Sequence, residues 1–140
     1  MALQLVKNST TDEFSFGGAG DDPISKSVNL DDSGSPATID TNTITAQIRA
    51  TTYLYSNISM SVISEDAGID YKLSLNNTNF FDSLASGNGG DAAGEIPNID
   101  ATSETQTKTV YIKAVVDNDG SVSAGDKTTP KIRLSRTENQ

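Results

Sequence analysis

Five segments of this chain alternate apolar and polar side chains residue by residue, and this pattern restricts the fold more than any other feature of the sequence. In Ile44–Ala50 the apolar residues fall at every second position, with Thr45, Gln47 and Arg49 between them. Successive side chains of a β-strand project to opposite faces of a sheet, so the pattern is typical of strands with one buried face. The other four segments are residues 58–62, 69–75, 109–116 and 131–135.

Shorter alternating stretches and the turn residues between them extend this prediction. The shorter stretches predict further strands at residues 3–7, 14–16, 24–30 and 80–84. Clusters of Gly, Asp, Asn, Ser and Pro predict turns at 17–23 and 31–36 and a hairpin tip at 76–79. No segment keeps helical apolar spacing for three turns. Strands at short spacing with polar turns predict an all-β fold of antiparallel strands, either a sandwich or a barrel.

Two regions do not follow the strand pattern. Residues 85–107 form the longest irregular stretch, which predicts either a surface excursion with a contact role or a poorly ordered loop. The amino-terminal residues hold Phe14 and Phe16, followed by a glycine-rich hinge and Asp21-Asp22-Pro23. We interpret residues 1–22 as an extended arm and residues 23–140 as the sandwich domain. The alternative is that the arm is the first strand of the same sandwich, followed by a loop.

Composition limits the functions open to this chain. Its 140 residues fit one domain, and 34% hydrophobic residues without Trp predict a thin core. Cys and His are absent, which removes disulfides, thiolate chemistry and the commonest general base. Gly17–Gly20 lacks the Lys-Ser or Lys-Thr of a phosphate loop, and the acidic pairs fall in predicted turns. We therefore expect no enzymatic activity.

Charge and hydropathy indicate which partners to expect. Nineteen acidic and ten basic residues give a net charge of −9, which disfavours nucleic acid and anionic membranes as partners. No apolar stretch approaches the roughly 20 residues of a membrane span. The amino terminus lacks a signal-peptide pattern, so we expect synthesis in a cytoplasm without export.

One acidic segment resembles part of a calcium-binding loop. Asp117, Asp119 and Asp126 are spaced around Gly120 and Ser123 as in part of an EF-hand or dockerin loop. The first ligand position falls on Val115, the closing residue is Asp in place of Glu, and no helix flanks the segment. The favoured interpretation is a hairpin connection in which Asn-Asp-Gly supplies positive φ, and calcium binding is the alternative.

The strand pattern resembles the immunoglobulin-like β-sandwich of structural proteins from tailed bacteriophages. The resemblance covers roughly residues 24–136 and rests on residues 44–75 and on the segments 110–116 and 131–134, which look like the last long hairpin of that fold. The chain lacks the Cys…Trp…Cys core of antibody domains. The resemblance implies a virion protein made in the host cytoplasm, with capsid decoration or cement as its role.

This resemblance also implies partners. They would be the major capsid protein, sister subunits or both, with the protein present as a homo-oligomer on the particle. We expect Leu3, Leu5, Phe14 and Phe16 to bind the partner. One alternative is a self-assembling tail-tube or pilus-like filament subunit. The other is a carbohydrate-binding or adhesive module that uses the calcium-like loop with Tyr53 and Tyr55, although cross-strand packing is the simpler explanation of that tyrosine pair.

Overall fold

A computed structural model describes residues 3–7, 28–86, 90–123 and 130–139 of the chain. Two antiparallel β-sheets pack against each other, so the predicted all-β sandwich is confirmed. The five alternating segments all lie in strands. The strands are β1 (Leu3–Lys7), β2 (Thr38–Asp40), β3 (Ile44–Ala50), β4 (Leu54–Ile63), β5 (Ile69–Ser74), β6 (Ser83–Leu84), β7 (Ile99–Asp100), β8 (Gln106–Asp117) and β9 (Lys131–Asn139).

The first sheet is built around β8, which has neighbours on both edges. β5 pairs with one edge of β8, while β3 and then β2 pair along the other edge. β1 pairs with the outer edge of β3. Because β8 is twelve residues long, it spans both β2 and β3 and ties them into one sheet.

The second sheet is built around β4 and is less evenly paired. β9 runs along one edge of β4, and the two-residue strands β6 and β7 pair with parts of the other edge. The register of β4 and β9 shifts between Ser56 and Ser59, where Asn57 has a φ of 51°. This β-bulge adds one residue to β4 and so changes which positions face the core. Tyr55 and Ile58 are therefore both fully buried, although they are three positions apart.

The core lies between the two sheets and consists of the inward faces that the alternation predicts. Ile48, Leu73 and Ile112 from the first sheet and Ile58 and Met60 from the second are at most 1% exposed. Full burial of such side chains contributes roughly 1.5–3 kcal/mol each. The inward-facing apolar residues of the alternating segments supply much of this core. Ile132 is partly buried, and these others are buried: Ile44, Ile48, Met60, Tyr71, Leu73, Ile112 and Val116.

The stretch predicted to be irregular instead closes one side of the core over its described part. Ile96 is fully buried, and Ile99 and Ala101 are 7% and 2% exposed. The Ile96 amide donates to the Ala85 carbonyl at 3.1 Å, and a short 3-10 helix, Asp91–Ala93, precedes this contact. Gly94 has a φ of 74°, and a Cβ there would lie 2.9 Å from Phe81 Cδ2, so this approach requires glycine.

Several shorter predictions have mixed outcomes. The hairpin tip at 76–79 is confirmed, since Leu73 and Phe81 exchange backbone hydrogen bonds of 2.8 Å around it. The predicted strand at 24–30 is not formed over its described residues 28–30, and residues 24–27 lie outside the described part. The predicted strand at 14–16 and the turn at 17–23 also lie outside the described residues.

Candidate functional site

The acidic segment after β8 forms a turn at one end of the first sheet. Asp119 Oδ1 accepts a 3.0 Å hydrogen bond from the Ser121 amide. Hydrogen bonds from the Ser121 hydroxyl and then from its amide lower the pKa of Asp119. The Asp117 amide donates to the Gly68 carbonyl at 2.8 Å, which joins this turn to the turn between β4 and β5. The carboxylate of Asp119 is therefore engaged within its own turn.

The calcium interpretation gains no geometric support from the described residues. Asp117, Asp119 and Ser123 are described, whereas Asp126 is not. Within the described ranges, no three His, Cys, Asp or Glu side chains come together in a group that could hold a metal ion. Gly120 has a φ of 87°, as expected for the glycine of a tight turn. The predicted hairpin connection is wrong, because β8 lies in the first sheet and β9 pairs with β4 in the second.

Asn118, between the two predicted ligands, has a structural role that the motif did not indicate. Its side chain is fully buried, and its Oδ1 accepts 3.0 Å hydrogen bonds from the amides of Asp31 and Asp32. Its Nδ2 donates to Asp31 Oδ1 at 2.9 Å and to the Pro36 carbonyl at 3.1 Å. Asn118 therefore holds residues 31–37 against the end of β8. Hydrogen bonds from Ser33 and then from Asn118 lower the pKa of Asp31.

The residues predicted to bind a partner divide into two groups. Leu3 and Leu5 lie in β1 and are 3% and 7% exposed in the protein's own core. Their side chains are therefore not exposed at the surface of this chain, and partner binding by Leu3 and Leu5 stays a prediction. Residues 3–7 of the predicted arm are a strand of the sandwich, as in the alternative interpretation. Phe14 and Phe16 lie outside the described residues.

The tyrosine pair does not form an exposed binding face. Tyr53 and Tyr55 make an edge-to-face contact with ring centroids 6.2 Å apart. Tyr55 is fully buried, and its hydroxyl donates to the Thr51 carbonyl at 2.6 Å. Burial raises the pKa of Tyr55, with a smaller contribution from the charge of Glu138. Tyr55 is therefore a core residue, which agrees with the packing explanation of the pair.

β9 is the longest edge strand among the described strands of the sandwich. β9 pairs with β4, and no other described strand pairs with its second edge. A nine-residue strand presents about 30 Å of edge. Unpaired N–H and C=O groups on such an edge are a template for another strand, and proteins usually shorten, cover or twist such edges. β9 is long for an edge that no other described strand covers, so this edge is the candidate functional site.

The two faces of β9 differ in chemistry. Ile132 and Leu134 lie opposite Val62 and Met60 on the inward face and are only partly buried. The apolar layer between the sheets therefore reaches solvent along β9. An added strand could extend this layer by placing apolar side chains beside them.

The outward face of β9 is basic in an acidic protein. Lys131 and Arg133 are exposed there, opposite Ile63 and Ser61. β9 carries three basic residues, the third being Arg136, against one acidic residue, Glu138, a local charge of 3 − 1 = +2. The whole chain has a charge of −9. Arg136 Nη2 lies 3.0 Å from Glu138 Oε1, so Lys131 and Arg133 carry the local excess.

The outward face of the first sheet, by contrast, is neutralised by its own ion pairs. Lys72 contacts Asp70 at 3.0 Å and also Asp82. Lys113 contacts Asp40 at 2.9 Å, and its Nζ lies 4.4 Å from the centroid of the Phe80 ring. Lys72 and Lys113 are cross-strand neighbours, and these contacts offset the repulsion between them. This face offers no comparable excess of charge.

Within the described ranges, no helix is long and apolar enough to cross a lipid bilayer. A scan against protein-family models, a search of curated proteins and a search of solved structures each found no match to this chain.

Proposed function

We propose that this protein is a non-enzymatic structural protein of a virion that binds the assembled capsid shell as a decoration or cement protein. The open edge of β9 carries the proposal, because it offers a long backbone template to a strand of another chain. The resemblance of the strand pattern to phage structural domains supports the capsid as the setting. The acidic surface of the chain is consistent with a hydrated particle exterior.

The proposed mechanism uses contact alone. A strand supplied by the shell would pair with β9 and extend the second sheet by one strand. A protein that binds the assembled shell and not its free subunits stabilises the shell by mass action. Its effect would therefore be seen as greater resistance of particles to heat or low salt.

A second candidate is a self-assembling tail-tube or filament subunit, and the same open edge supports it. Such a subunit would form by adding a strand of one copy to β9 of the next copy. Parallel, in-register pairing of β9 with β9 is disfavoured, because it would place Lys131 beside Lys131 and Arg133 beside Arg133. An adhesive module is supported less well, since Tyr55 is buried.

Fractionation of a lysate of the source on a density gradient tests the proposal, with the protein located by peptide mass spectrometry. We expect it to migrate with genome-filled particles at an abundance close to that of the capsid subunits. Recovery with filaments would favour the self-assembling subunit. Recovery only as free protein would reject the capsid role.

Binding to shells provides a direct second measurement. Purified protein added to shells that lack it should pellet with them and raise their disruption temperature. Bound protein that keeps rising in proportion to the added protein, without a plateau, would contradict a saturable shell site.

A further inference from the structure

We infer that the edge of β9 binds an extended segment of a different polypeptide in which acidic and apolar residues alternate. The inference rests on the proposed function, since it names the chemistry of the shell segment that would bind this protein. It combines three properties of β9: an edge that no other described strand pairs, an apolar inward face that reaches solvent, and a basic outward face.

The backbone determines the shape of the ligand. An added strand pairs in an extended conformation, so its side chains alternate between the inward and outward faces of the second sheet. A helix or a compact loop cannot satisfy a continuous row of edge amides and carbonyls. The nine residues of β9 give room for a segment of similar length.

The side chains of β9 determine the sequence pattern of the ligand. On the inward face, the added strand would place side chains beside Ile132 and Leu134, and apolar residues there would cover their exposed parts. On the outward face, it would place side chains beside Lys131 and Arg133. Acidic residues at those positions gain favourable cross-strand pairs, whereas basic ones are repelled.

The charge distribution favours a different polypeptide over a second copy of this chain. Two copies each carry −9 and repel at long range, most strongly at low ionic strength. Parallel, in-register pairing of two β9 strands would add repulsion between their Lys131 and Arg133 side chains. An acidic segment on another chain meets only the local positive charge at short range.

The test uses the whole purified chain and a capped ten-residue peptide that alternates Val and Glu, followed by NMR. We expect shift changes centred on residues 131–138, slower amide exchange there, and weaker binding at high salt. A peptide that alternates Val and Lys should bind at least tenfold more weakly. A Val–Glu peptide methylated at alternate backbone nitrogens should not bind, because it cannot complete the ladder.

Charge reversal at one position supplies a matched pair of variants. Arg133→Glu lies on the open edge, and Arg49→Glu makes the same charge change on β3, whose two edges are both paired. Arg133→Glu should weaken binding of the Val–Glu peptide roughly three- to thirtyfold, whereas Arg49→Glu should change it less than twofold. The far-ultraviolet spectrum of each variant checks that the fold is retained.

Each contrary result overturns the inference. No binding of the Val–Glu peptide, equal binding of the Val–Lys peptide, or shifts centred away from β9 would each reject the acidic strand site. Self-association of the free chain that Arg133→Glu abolishes would assign the edge to a second copy.

The inference and the proposed function can fail separately. Arg133→Glu protein that still binds shells with unchanged affinity would reject this site while leaving the capsid role in place. Peptide binding at β9 by a protein that never associates with particles would support this site and reject the capsid role.

Discussion

The central strand of the first sheet, β8, and an edge strand of the second sheet, β9, differ in how many of their edges are paired. In the first sheet, β8 is paired on both edges, and ion pairs of Lys72 and Lys113 neutralise the outward face. In the second sheet, β9 has one edge that no other described strand pairs, and its three basic residues outnumber its one acidic residue. The central strand β8 is therefore paired on both sides, whereas the edge strand β9 retains capacity for a further strand.

This difference separates the part of the molecule that provides stability from the part that is available for binding. A central strand loses its hydrogen bonds only when its sheet opens, while an edge strand can separate locally. Binding surfaces are often drawn from the less stable regions of a fold. We expect β8 to contribute more to stability than β9 and to open less readily.

The largest expected effect is a difference between equivalent core truncations in the two sheets. Ile112→Ala removes a fully buried side chain from β8 and should lower the free energy of unfolding by about 3–4 kcal/mol. Leu134→Ala removes a partly buried side chain from β9 and should lower it by about 1 kcal/mol. Urea titrations followed by circular dichroism measure both values. Equal losses would show that β9 is as deeply packed as β8.

The next effect concerns the buried amide that secures the end of the first sheet. Asn118→Ala leaves the hydrogen-bonding groups of residues 31–36 without their buried partner and should cost about 2–3 kcal/mol. Asp119→Ala, at the exposed neighbouring position, is the control and should cost less than about 1 kcal/mol. A larger loss of unfolding free energy for Asp119→Ala would indicate that this carboxylate has a further role, such as binding a metal ion. Addition of calcium to the wild-type protein would then test that role directly.

Hydrogen exchange compares the two strands without any substitution. Amides of β8 that bond to its neighbours should exchange about ten- to hundredfold more slowly than the bonded amides of β9, because β9 can open from one side. NMR exchange rates at several pH values give the comparison. Similar protection in β8 and β9 would mean that the second edge of β9 is already occupied in the free protein.

The smallest expected effect is the acid response of the turn at the end of the first sheet. The folded state lowers the pKa of Asp31, so its contribution to stability is complete above the unfolded pKa near 4. This contribution is lost as the pH falls through the lower folded value. In urea titrations between pH 7 and pH 3, the wild type should therefore lose more stability below about pH 4 than Asp31→Asn does. Parallel curves for the two proteins would contradict a role for the Asp31 charge.

Local sequence patterns predicted most of the strands but not how their ends and gaps are filled. The alternation predicted β3 with its observed bounds and placed β5, β8 and β9 correctly within a few residues. It divided β4, because the bulge at Asn57 shifts the period between Tyr55 and Ile58. A bulge is stabilised by the neighbouring strand, so a period-two pattern alone does not reveal it.

The motifs in the sequence did not indicate the candidate site. Asp117 and Asp119 stood out by their spacing, yet Asn118 between them makes the buried contacts. Lys131 and Arg133 belong to an ordinary alternating strand and carry no motif. Their interest comes from the position of β9 at an edge, which is a property of strand order and not of local sequence.

The sequence by itself determined the fold class and the core residues of the alternating strands, because side-chain alternation and burial are both consequences of one strand geometry. Only the tertiary structure decided which strands are central and which edge remains open, because pairing between distant segments depends on how the whole chain packs. The same packing placed Leu3, Leu5 and Tyr55 inside the protein and left β9 available at its surface.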